Sequence, residues 1–66
     1  MPVDQPTLRR HLAEEICECE RMAAEAARVA AMCEADGFES TAAAMRALGR
    51  NHRVQIIELR AQLAAT

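Results

Sequence analysis

Two stretches with a helix-period apolar pattern meet at one break, Asp36-Gly37, and that arrangement leaves few folds open to the chain. Before the break, Leu12, Ile16, Cys19, Ala23, Ala26, Ala30 and Cys33 follow one another at steps of three and four. After it, Phe38, Met45, Leu48, His52, Ile56, Leu59 and Leu63 keep the same rhythm. Residues at that spacing line one side of an α-helix. Gly37 supplies the left-handed backbone that ends helices, with Asp36 beside it as a turn or capping residue. The expectation is an all-α chain with one domain over 1–66: helix one about 7–35, a turn at 36–37 and helix two about 38–64, folded into an antiparallel hairpin. Met1 to Pro6 form a lead-in, with Asp4 or Thr7 available to cap the first helix and Pro6 tolerated in a first turn.

A two-helix hairpin of 66 residues has a seam rather than an enclosed core. Chains this short rarely stand alone without disulfides, metal or a partner. Hydrophobic residues make up 52% of the chain, but many are alanine, and there is one Phe with no Trp or Tyr. Alanine favours helix and buries little area, so the helices should be strong and the seam thin. Ala43, Ala47, Val54, Ile57 and Ala61 of helix two, and Cys17, Ala24, Ala31 and Met32 of helix one, are expected to point away from the seam. One hairpin cannot cover this second apolar face. The expected assembly is therefore a homodimer, or a higher homo-oligomer, closing a four-helix bundle. Val54, Ile57 and Met32 are candidate contacts to another protein or another copy.

Folding back at Gly37 sets a register. Cys33 falls near Thr41 and Ala42, Ala26 near Leu48 and Gly49, Cys19 near His52 to Ile56, and Leu12 near Leu63. Gly49 costs about 1 kcal/mol in a helix interior relative to alanine. Close backbone approach to the alanine-rich part of helix one is the expected compensation.

His52 is the main chemical lead, because a polar, titratable side chain stands at the centre of an apolar stripe. A buried imidazole needs hydrogen-bond partners or a metal. Gln55 projects from the same side, and the register brings Cys19 within about a turn, with Glu15 and Glu18 nearby. Cys19, His52, Gln55 and Glu15 are the candidate ligands of a transition-metal site in a dimeric bundle, suited to zinc, iron or copper. The plain alternative has His52 and Gln55 bonding each other, a backbone carbonyl or the partner chain. His11, Glu15 and Cys19, four residues apart in turn, share a helix face. Cys17 and Cys19 point to opposite sides and make no shared site. Cys33 is expected to be a small buried apolar residue.

Net charge is −2, which argues against a dedicated nucleic-acid module. Residues 6–36 carry four Arg against six Glu and one Asp, and residues 38–66 four Arg against two Glu, so the two helices should attract. Arg46, Arg50, Arg53 and Arg60 lie along one side of helix two. They could pair with Glu14, Glu18 and Glu25 or, as an Arg stripe, meet the phosphates of RNA. No interleaved aromatic residue offers base stacking. No glycine-rich phosphate loop, Ser/His/Asp order or nucleophile elbow is present, so a conventional active site is not expected. Nothing in the sequence suggests a secretory leader or a membrane span. Three cysteines without secretory context fit free thiols in a reducing cytoplasm.

The segment from Gly37-Phe38-Glu39-Ser40-Thr41-Ala42-Ala43-Ala44-Met45 through Asn51-His52-Arg53-Val54-Gln55 resembles the rubrerythrin branch of the ferritin-like superfamily. There a Gly-aromatic-acidic turn joins two helices, and an E-x-x-H pair follows an apolar run. The resemblance covers roughly residues 12–59 and implies a hairpin that pairs into a four-helix bundle around metal ions. By spacing, His52 stands where that family has its glutamate, Gln55 where it has its histidine, and Cys19 near the glutamate of the first helix. Each of these positions departs from the carboxylate-rich pattern that oxygen or peroxide chemistry on two irons needs.

Overall fold

The computed structural model describes residues 4–66; Met1, Pro2 and Val3 of the lead-in lie outside the described residues. The chain forms two α-helices, α1 (Gln5–Ala35) and α2 (Glu39–Ala65), packed as an antiparallel hairpin. Helix α1 starts two residues earlier than the spacing predicts. Of the two candidate caps, Asp4 is the one used: its extended backbone precedes the helix and its carboxylate accepts the Thr7 N–H at 2.8 Å. Hydrogen bonding from Thr7, through side chain and backbone, holds the Asp4 carboxyl below its ordinary pKa.

The turn closes as the Asp-Gly pair suggests. The Phe38 N–H donates to the Cys33 carbonyl at 2.7 Å and the Gly37 N–H to the Glu34 carbonyl at 3.1 Å. These are the paired bonds of a Schellman termination, which satisfies carbonyls the helix leaves open. Asp36 is the capping residue, and Gly37 has a φ of 82°. A Cβ at Gly37 would meet nothing within 4 Å, so backbone conformation rather than space selects glycine here. Phe38 begins α2 without a side-chain cap, and Glu39 places a negative charge in its first turn.

The seam has two unlike halves. Near the chain ends Leu12, Ile16, Cys19, Ile56 and Leu59 form one buried cluster, with Leu8 and Leu63 packed against it. Near the turn the buried positions are Ala23, Ala26, Ala30, Ala42 and Gly49. On α1 every expected stripe residue from Leu12 to Ala30 is buried, and Cys33 is half-buried. On α2 the expected stripe is corrected. Phe38 and Leu48 are 62% and 43% exposed, while Ala42 and Gly49 occupy the seam in their place. Ala47, expected to point away, is half-buried.

The rotation sets small residues of α2, Ala42 and Gly49, against the alanines of α1, with room for one more carbon at Gly49. A Cβ built on it would sit 3.8 Å from the Ala26 Cβ and 3.9 Å from the Ala23 carbonyl oxygen, so α2 turns its smallest residue toward the alanines of α1. The predicted pairing of Gly49 with Ala26 holds. Apolar side chains next to the alanine seam are left at its edge.

The result is a rod. Its radius of gyration is 15.3 Å and its extents are 50 × 18 × 14 Å. A compact globule of this length would have a radius of about 11 Å. No large side chain among the described residues is fully buried.

Candidate functional site

The two flanks of the seam differ in chemistry. At about 100° per residue, Arg46, Arg53 and Arg60 fall on one flank of α2, and Met45, Leu48 and His52 on the other. Two ion pairs and a hydrogen bond between the helices close the first flank. Arg46 meets Glu34 at 2.9 Å, Arg60 meets Glu20 at 3.6 Å, and Arg9 donates to the Leu63 carbonyl at 2.9 Å. These are not the partners expected from the register. Glu14 pairs with Arg10 at 3.9 Å, while Glu18 and Glu25 share Arg21 at 2.6 Å and 3.6 Å, all within α1. The pairs are solvent-exposed, so each adds little to stability. The hydrogen bonds from Arg21 hold the Glu18 carboxyl below its ordinary pKa, and Glu18 in turn raises Arg21.

Among the described residues, the second flank carries no such closure. Met22, Glu25, Ala26 and Val29 of α1 and Met45, Leu48 and His52 of α2 line an open groove of about 230 Å³. That is below the roughly 300–1,000 Å³ of small-molecule sites, which also enclose most of their ligand. A shallow trough with methionine and leucine walls suits the side chains of another helix. Met22 and Leu48 are 39% and 43% exposed. A further dip, between Arg10, Cys17 and Arg21, has walls from α1 alone.

His52 is half-buried at the groove, yet its Nε2 is shielded from solvent and has no hydrogen-bond partner among the described residues. The surrounding groove residues are mostly apolar, and Glu25, the carboxylate on its wall, is engaged by Arg21. Buried polar atoms without partners are uncommon and cost about 1–3 kcal/mol each.

The other candidate ligands scatter. Cys19 is buried in the aliphatic cluster, whereas Glu15 and Gln55 are exposed. Among the described residues, no three His, Cys, Asp or Glu side chains come together in a metal-holding group within one chain. His11 is exposed and lies 4.0 Å from Glu14, while Cys19 on the same turn series faces inward. Cys17 is exposed and Cys19 buried, on opposite sides as their spacing requires. Among the described residues, no helix is long and apolar enough to cross a membrane.

Spacing puts Met45 and Leu48 in the seam and gives Met22 and Val29 no place in it. The available signal was their seven-residue spacing beside the alanine positions of α1. Such a pair borders a seam of small residues instead of filling it.

The class these elements define is a two-helix antiparallel hairpin with one charged flank and one apolar flank. No protein-family model, curated protein or solved structure matches the chain.

Proposed function

We propose that this chain is a small non-enzymatic helical hairpin that acts by associating with a second copy or another protein, in the manner of hairpins that complete a ferritin-like four-helix bundle. The observation that carries the reading is the apolar groove along one flank of the seam, with the unpartnered Nε2 of His52 beside it. Elsewhere Val54 at 53% and Ile57 at 67% exposure on α2 add a second surface on which a protein partner can settle, and Met32 at 65% is a separate exposed apolar side chain on α1. The expected result in sedimentation is a mass of about twice the chain mass or more. A well-folded monomer across micromolar concentrations that also captures no partner through either surface would refute the reading.

The same nitrogen favours a second reading, a transition metal held between copies. In a two-fold dimer His52 and Cys19 each occur twice, and a Cys₂His₂ set would suit tetrahedral zinc, with copper or iron as alternatives, provided the seam opens to release Cys19 from its aliphatic cluster. Elemental analysis of protein prepared without a metal-affinity tag tests it. The expected outcome for a real site is a stoichiometric metal that His52→Ala removes. Less than about one tenth of an equivalent, unchanged by His52→Ala, would reject the site and leave His52 as a groove residue.

A further inference from the structure

We propose that the seat of association is the Met22–Val29–Met45–Leu48 groove and that its occupant is a second copy of this chain, the two hairpins meeting groove to groove about a two-fold axis. The proposal rests on the association reading above and adds the face and the partner.

Surface area supplies the first argument. The chain exposes 4868 Å². A compact monomer of 7.3 kDa would expose about 4,200 Å². The excess of roughly 700 Å² is close to the about 800 Å² that each partner contributes to a stable interface of ordinary size. A rod of two helices reaches the surface of a compact protein when it covers one long flank.

Charge decides which flank. Two copies meeting on the Arg46–Arg50–Arg53–Arg60 side would bring like charges together, and that side is already occupied by pairs with Glu20 and Glu34. At the groove the α1 rim carries Glu18 and Glu25 with Arg21 shared between them, so one of its two negative charges is answered within the same helix. The groove-lining residues of α2 are Met45, Leu48 and the imidazole of His52. A two-fold interface sets the same patch against itself, and only a patch of low net charge tolerates that.

Covering the groove also removes the remaining exposure of Met22 and Leu48. Methionine suits such a contact, since its unbranched side chain fills irregular gaps. His52 also lines this face, with its Nε2 shielded within one chain.

Sedimentation and circular dichroism of the full chain test the proposal with Leu48→Glu, Met22→Glu and Ile57→Glu. Met22 and Leu48 lie outside the buried cluster, so all three variants should stay helical. Leu48→Glu and Met22→Glu are expected to weaken dimerisation by at least roughly thirtyfold, the scale of a buried interface anchor, and Ile57→Glu to leave it unchanged. In mixed-isotope dimers, nuclear Overhauser contacts from the Met22 and Met45 methyls should reach the other copy. A dimer that survives Leu48→Glu and Met22→Glu but dissociates with Ile57→Glu overturns the groove and leaves association intact. Absence of intermolecular methyl contacts in a dimer does the same. A wild-type chain that is monomeric throughout overturns the second copy as occupant, and capture of a different protein by that monomer would preserve only the broader reading.

Discussion

Ile56→Ala should remove a large share of the chain's stability, whereas Ile57→Ala, one residue away, should change it by less than about 0.5 kcal/mol. Ile56 is 6% exposed within the cluster of Leu12, Ile16, Cys19 and Leu59, and Ile57 is 67% exposed. Truncating a buried isoleucine to alanine costs about 2–5 kcal/mol, through lost transfer energy and the cavity left behind. At about 0.05–0.15 kcal/mol per residue, a chain of this length holds only roughly 3–10 kcal/mol in total. The cluster near the chain ends holds all the large aliphatic residues of the buried seam, because the other half is alanine and glycine. Urea unfolding followed by circular dichroism, at one fixed protein concentration, gives the comparison. Equal losses from both substitutions would mean that Ile57 is covered in the assembled protein and that the interface lies on the outer face.

Gly49→Ala should stabilise the protein, raising the melting temperature by about 4–8 °C if the full helix-propensity gain of about 1 kcal/mol is realised. Glycine is poor in a helix interior because it loses the most backbone freedom on folding. A compensating steric need would make it irreplaceable, but the geometry allows one more carbon. The added Cβ would sit 3.5 Å from Arg53 Nη1, 3.8 Å from the Ala26 Cβ and 3.9 Å from the Ala23 carbonyl oxygen, ordinary van der Waals distances. Arg53 is exposed and its guanidinium can move aside. Gly49→Leu should do the opposite, since a branched side chain directed at α1 forces the helices apart, at about 1–3 kcal/mol. Thermal melts of the two variants beside wild type give the signs directly. A lower melting temperature for Gly49→Ala would show that the two helices tolerate no added carbon at this crossing.

Much of the architecture is determined locally and can be read from residue order alone. The Asp36-Gly37 termination needs only a left-handed residue where a helix must stop, and it forms through bonds within six residues. The inward face of α1 follows from its spacing, because Leu12, Ile16 and Cys19 leave one strongly apolar side and the alanines continue it. The opposite orientations of Cys17 and Cys19 follow from helix geometry in the same way. The rotation of α2 about its own axis does not. Met45, Leu48, Gly49 and His52 are all near its apolar side, and periodicity weights Leu48 above Gly49 by hydrophobicity. Packing ranks them by size instead: against an alanine face the smallest residue permits the closest approach, so Gly49 turns in and Leu48 is displaced to the edge. That rotation also decides the ion pairs, giving Arg46 to Glu34 and Arg60 to Glu20, and leaving Arg21 to Glu18 and Glu25. It leaves Gln55 in solvent, away from Cys19 in the aliphatic cluster, and it opens the groove beside His52. Residue order alone specifies two helices, their break and the inward face of the first. Only the tertiary contact between an alanine stripe and a glycine decided which residues of the second helix remain outside the seam.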